Sequence, residues 1–230
     1  MYKKYSYKLK SGTEALIKAL NLLNAKKVLI PTYTCMDIFR SVEQVDCEYR
    51  IVDCGIDLQI DVKEVLKYSG EYDTIIIPHM FGIKANIKAI KENTQLKIIE
   101  DLSQCHGLPN LGELADIVVT STNKSKWIDT GGGGWLFSDI KIDLDTSDFN
   151  KIITPQEILK CFKRREELAN EIKEAGVKLI GSESSWLRGM YFSDNSSREP
   201  YIPLHKIKNI FECPKVDSYI GKVNWISIVI

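Results

Sequence analysis

The sequence predicts an α/β fold, a mostly parallel doubly wound sheet followed by a smaller, reduced region. Two observations carry this. Short β-branched or apolar runs alternate with amphipathic helix patterns through the first half of the chain. Strands joined through helices pair in parallel, and right-handed crossovers then place helices on both faces of the sheet. The second observation is that polar residues gather just after the strands, where sheets of this kind bind their ligands. Those stretches are residues 33–35, 79–82, 101–107 and 121–126. At 230 residues there is enough chain for one sizeable core with a small appended domain. Basic and acidic residues balance at 31 each, so no basic field marks a nucleic-acid partner.

The chain opens with Tyr5, Tyr7 and Leu9 alternating against Ser6, Lys8 and Lys10, a short strand or extended arm. Ser11 then starts a helix. Ser11 and Glu14 form a capping box, and Ala15, Leu16, Ala19, Leu20, Leu22 and Leu23 make the stripe to be buried. A capped helix accounts for these residues, and its free N–H groups with the Thr13 hydroxyl also make an anion site. Strands are predicted at 27–31, 48–53, 73–79 and 96–100, with helices at 36–45, 62–68 and 87–93. Asp101 stands at the last of these strand ends. It either caps the next turn or faces a protonated ring nitrogen of a ligand, with Gln104 set to bond a ring substituent.

Residues 116–135 break the alternation. The run Ile117, Val118, Val119 reads as a buried strand. Hydroxyls, an amide and two lysines, Lys124 and Lys126, follow it, then Gly131 to Gly134 and a second apolar run from Trp135. A lysine at the mouth of a strand becomes a nucleophile when desolvation or a nearby cation lowers its pKa. An exposed charged hairpin explains the same residues. No helix pattern follows the glycines to hold a diphosphate, which argues against a dinucleotide-binding domain.

Beyond this stretch a helix is predicted over 155–175, with Ile158, Leu159, Phe162, Leu168, Ile172 and Ala175 on its apolar side. Residues 181–203 read as an irregular serine-rich segment. Its Arg188 and Arg198 either hold a carboxylate or diphosphate or belong to a solvated loop. Six cysteines form no C-x-x-C pair and three histidines are scattered, so no metal site is expected and the thiols are read as free and cytosolic. No apolar run reaches the ~20 residues of a membrane span, and the basic N-terminus lacks the apolar core of a signal peptide.

Five segments occur in a telling order: Ser11-Gly-Thr-Glu-Ala-Leu, Pro31-Thr-Tyr-Thr, Pro78-His-Met-Phe-Gly82, Glu100-Asp-Leu-Ser-Gln-Cys-His-Gly107, and Ser121-Thr-Asn-Lys-Ser-Lys126 before the glycine run. Together they resemble the DegT/DnrJ/EryC1/StrS family of pyridoxal-phosphate (PLP) sugar aminotransferases, of the fold-type I class. The resemblance covers a little more than half the chain. A weaker echo lies at Tyr201-Ile-Pro-Leu-His205 and from Cys213 to Ile228.

The resemblance implies a PLP-binding large domain over 1–145 and a reduced C-terminal small domain over 146–230. It implies that Lys126, by its spacing from Ser121 and Gly131, is the lysine that bonds the cofactor. Asp101 would pair with the ring nitrogen and Gln104 would sit near the phenolic oxygen. Gly12, Thr13, Glu14 (through its backbone N–H) and Ser121 would bind the phosphate. The activity implied is amino transfer, from glutamate, onto a keto group of a nucleotide-linked sugar in surface polysaccharide or related sugar biosynthesis. The family position four after Pro31, an aromatic that stacks on the ring, is Cys35 here, and no Asn-Tyr-Arg segment follows the glycine loop. A homodimer is therefore expected, the partner completing the site. The alternatives are another PLP reaction, such as dehydration or decarboxylation, and a reduced non-catalytic relative that works with a partner protein.

Overall fold

Seven strands of five residues each make one sheet in the order β1-β7-β6-β5-β4-β2-β3. They are β1 (Tyr5–Leu9), β2 (Lys27–Pro31), β3 (Glu48–Val52), β4 (Thr74–Pro78), β5 (Lys97–Asp101), β6 (Ile117–Ser121) and β7 (Gly134–Ser138). The computed structural model that shows them describes residues 2–108, 110–123, 126, 128, 131–144, 163, 166, 167, 170, 171, 174, 188–192, 213–218 and 223–227. β2 to β6 pair in parallel, as their helical connections require, while β7 runs antiparallel to both β6 and β1.

Four helices cover the sheet: α1 (Gly12–Leu22), α2 (Met36–Gln44), α3 (Val62–Tyr68) and α4 (Ile87–Asn93). Buried residues of α1 and α2 join one core cluster, and those of α3 and α4 join another. That is the double winding the alternation predicts. The central strands have apolar residues on both faces because both faces are covered. Of the expected α1 stripe, Ala15, Leu16, Ala19 and Leu20 are buried, but Leu22 is 40% exposed. Leu22 lies in the last turn of the helix. The capping box is displaced by one residue. Ser11 Oγ accepts the Glu14 N–H at 3.1 Å as expected, but the Glu14 carboxylate accepts from Lys10 N–H at 2.7 Å.

Among the described residues beyond 144, β8 (Arg188–Phe192) pairs antiparallel with β9 (Val223–Ser227). Part of the segment read as irregular is therefore a strand. Five residues ending in Met-Tyr-Phe are too short a signal to stand out from serine-rich flanks. Trp186, Arg198 and residues 201–205 lie outside the described residues. Within 155–175, the described Lys163, Glu166, Glu167, Asn170, Glu171 and Glu174 are helical and exposed, the spacing of one polar helix face. The apolar side expected there lies outside the described residues.

A short helical turn, Pro214–Asp217, brings Cys213 and Val216, both 0% exposed, into the core on the α1–α2 side. No helix among the described residues is long and apolar enough to cross a membrane.

Candidate active site

A cleft opens at the carboxyl ends of β4, β5 and β6, beside the point where the chain continues from β2 in opposite directions along the sheet. In sheets of this kind ligands bind at that position. Five segments meet in its walls.

The first wall is the start of α1. First-turn N–H groups have no acceptor within their own helix. Ser11 Oγ takes that of Glu14, and Gly12 and Thr13 line the cleft. Two close approaches fix this helix start on the sheet. A Cβ on Gly12 would lie 2.7 Å from Ser121 Cβ, and one on Gly134 would lie 2.3 Å from the Ser11 carbonyl. Neither position has room for any other residue. The last glycine of the run, Gly134, is therefore needed for contact with Ser11, a role its sequence position did not disclose. Thr122 closes the base of the connection, its N–H on Gly133 O and its hydroxyl on Gly132 O.

The second wall is the end of β5. The side chain of Asp101 is 7% exposed, and its Oδ1 accepts the Ser103 N–H at 2.9 Å. Its Oδ2 has no partner among the described residues and borders the cleft. Gln104 follows on the same loop. Its Oε1 accepts the Phe81 N–H, and its Nε2 meets only Met80 Sδ, a weak acceptor, at 3.4 Å. One amide proton is thus left over. Tyr2 holds this loop from outside, its hydroxyl accepting from Gly107 N–H and contacting His106 Nδ1. Burial pushes the Tyr2 phenol up to about 12 and His106 down to about 4.

The third is the end of β6. Ser121 and Lys126 line the cleft, and the Lys126 ammonium has no hydrogen bond or ion pair among the described residues. Lys124 lies outside the described residues. The start of α2 supplies the fourth wall, with Cys35, Asp37 and Ile38. Burial raises the Cys35 thiol although Lys126 pulls it the other way, and its S–H points to Asp37 Oδ2 at 3.7 Å. Pro78, His79 and Met80 form the fifth.

The structure thus brings Gly12, Thr13, Asp101, Gln104, Ser121 and Lys126 to one cavity. Glu14 does not line it, because the Ser11 hydroxyl already takes its N–H. Asp37, Ser103 and His79 border the cavity without having been singled out as site residues. For His79 and Ser103 a place just past strand ends was the signal, and for Asp37 an acid in the first turn of α2. Among the described residues no three His, Cys, Asp or Glu side chains form a group that could hold a metal ion.

Comparison with known proteins places the chain in a family. The model of the DegT/DnrJ/EryC1/StrS aminotransferase family matches residues 1–143. The chain is 28% identical over 138 residues to a 3-oxo-glucose-6-phosphate:glutamate aminotransferase of Bacillus subtilis (strain 168). That match spans 55% of this chain and 30% of the relative. Among solved structures, DesV of S. venezuelae superposes with a TM-score of 0.80 at 17% identity, covering 98% of this chain and 80% of that one. NtdA of Bacillus subtilis, solved with its cofactor PMP, gives 0.77 at 18% identity over 98% and 69%. At such identities the superpositions speak for the fold.

Proposed function

The chain belongs to the DegT/DnrJ/EryC1/StrS aminotransferase family, and from that premise we propose that it is a PLP-dependent aminotransferase. In this reading it moves an amino group from glutamate onto a keto group of a nucleotide-linked sugar. The observation that carries the reading is the meeting in one cleft of a lysine and a carboxylate oxygen, both without a partner among the described residues, with a helix start.

The donor set suits the cofactor. Gly12 and Thr13 N–H groups with the Ser121 hydroxyl suit a phosphate. Asp101 Oδ2 suits a protonated ring nitrogen, the spare Gln104 amide proton a phenolic oxygen, and Lys126 Nζ the aldehyde carbon. When bound, PLP supplies an aldehyde and a ring that withdraws electrons from an attached amine. The residues do the rest. Asp101 holds the ring proton in place through an ion pair in a nearly dry site. Lys126 Nζ, once released, takes the proton from the donor's α-carbon and returns a proton to the product. Gln104, fixed by Phe81, keeps the ring in register between them.

The same reading has a second copy of the chain covering the open side of the cleft, where Cys35 presents a small neutral thiol, and places the domain boundary near residue 145. A cytoplasmic enzyme is in keeping with five free cysteines among the described residues. The test is direct. Purified protein loaded with PLP should be yellow, and borohydride should fix the colour. Peptide mapping should find the pyridoxyl group on Lys126. An adduct on Lys124 would move the site, and the absence of any adduct would overturn the reading. Light scattering across a concentration series, with and without cofactor, tests the dimer.

A further inference from the structure

Glu100 is a carboxylate that follows Ile98 and Ile99 in β5, one residue before Asp101. Its side chain is 1% exposed and that of its partner His79 is 0%. Glu100 Oε1 lies 2.8 Å from His79 Nε2, and its Oε2 accepts the Gly112 N–H at 3.0 Å. On the far side of the ring, Nδ1 accepts the Ala85 N–H at 2.9 Å. An N–H is accepted only by a bare ring nitrogen, so the ring proton sits on Nε2, facing Glu100. Every polar atom of the two side chains is committed.

The pair touches the cleft at both ends. Glu100 shares its strand end with Asp101, which lies opposite Pro78 in the β4–β5 register. His79 draws in the loop that follows β4, a tight turn closed by Gly82 N–H on His79 O at 3.0 Å. Within that turn Phe81 is left-handed, with φ of 61°, a backbone that a bulky residue adopts only when its surroundings enforce it. Phe81 N–H is the group that fixes Gln104, and Met80 is cleft wall.

Resting on the function proposed above, we propose that the buried His79–Glu100 pair is a positioning device. It latches the 79–85 loop to the end of β5 and so holds Gln104 and Asp101 in register for the cofactor ring. Its members are positioning residues and do not touch the reacting atoms.

The chemistry makes Glu100→Gln an informative change. Glutamine has one oxygen for two donors, His79 Nε2–H and Gly112 N–H. If the ring proton moves to Nδ1 to relieve this, Ala85 N–H loses its acceptor. Either way one buried donor is orphaned and the latch loosens, with little change in volume.

The expected result is a folded variant that still gives the borohydride adduct at Lys126. Its kcat should fall on the order of tenfold to a hundredfold, the effect of a misplaced reacting group, while KM for the amine donor changes little. Glu100→Asp, which keeps both acceptor oxygens, should recover part of the loss. Nitrogen-detected NMR of the histidine rings in the wild-type protein should show His79 with its proton on Nε2. Three findings would each overturn the latch: Glu100→Gln with wild-type kcat, a variant that only melts earlier while its folded fraction turns over normally, or a wild-type His79 protonated on Nδ1. A wild-type protein that forms no adduct at Lys126 would overturn the functional reading instead, and the NMR result would still decide whether the pair is built as described.

Discussion

Asp53 and Asp101 occupy equivalent places in one sheet. Asp101 ends β5, Asp53 follows β3, and both are buried, at 7% and 2% exposure. Their partners differ. Asp53 Oδ1 accepts from Cys54 N–H at 2.9 Å and Val216 N–H at 3.1 Å, and its Oδ2 from Lys215 N–H at 2.7 Å. Both oxygens are consumed in capping the turn Pro214–Asp217, which pins the C-terminal part of the chain to the sheet. Asp101 gives one oxygen to Ser103 and keeps the other for the cleft. A strand-end carboxylate is therefore structural or functional according to the acceptor capacity left over, not according to its position or burial.

The comparison is broken most forcefully at Asp101. Asn in its place can still accept the Ser103 N–H but offers an amide N–H₂ where Oδ2 stood. Asp101→Asn should keep its melting temperature, bind PLP less tightly and lose kcat by about a hundredfold to a thousandfold, the cost of removing one preorganised electrostatic group. Turnover at the parental rate would make Asp101 a cap like Asp53. At Asp53 the expectation inverts. Asp53→Ala leaves three backbone N–H groups without their acceptor and should cost about 3 kcal/mol in urea unfolding, with kcat of the folded fraction close to the parent's. A loss of activity without a loss of stability would erase the distinction.

Acid separates the two regions more gently. His106, in the loop after Asp101, is held neutral by burial, its pKa lowered to about 4. Between about 4 and the ordinary value near 6.5 the unfolded chain binds a proton that the folded chain does not. Stability should therefore fall as pH drops from 6.5 and level off below 4, by roughly 2 kcal/mol given that the ring keeps some exposure. His106→Asn should flatten that slope in a pH series of melting curves. Asp61, beside the Asp53 cap, responds in the same direction but at lower pH. Burial alone would raise it, yet the Lys215 ammonium at 2.6 Å and two N–H groups hold it below its ordinary value. The stability it contributes is present above about pH 4 and disappears only in stronger acid. The Asp101 loop should therefore loosen first as the pH is lowered.

The asymmetry between the two aspartates also explains what the sequence disclosed. The cap made by Asp101 was legible because what matters to it is local: a strand before it and Ser103 two residues on. The α/β alternation was legible for the same reason, since apolar runs and caps such as Ser11 are short-range signals. Asp53 was not, because the groups it caps lie at residues 215 and 216, and nothing near it in sequence announces them. Glu100 was not singled out, because its partner depended on the register that sets β4 against β5. Gly134 reads as loop glycine until the fold lays it on Ser11. Leu22 was misplaced because helical periodicity shows which face is apolar and not where along the helix its burial stops.

β1 has one neighbour in the sheet, and that neighbour is β7, the last of the seven strands to be made. Until β7 is made β1 therefore has no partner among the described strands, and in the finished sheet it remains the edge strand. Pairing the two brings together segments separated by most of the sheet domain, a contact of the slow, non-local kind. The same closure sets Gly134 on Ser11 and Ser121 beside Gly12. The helix start that would take the phosphate is thus made well before β7 but completed only with it. A ligand that binds there would act late in folding, holding shut the join between the two ends of the sheet domain.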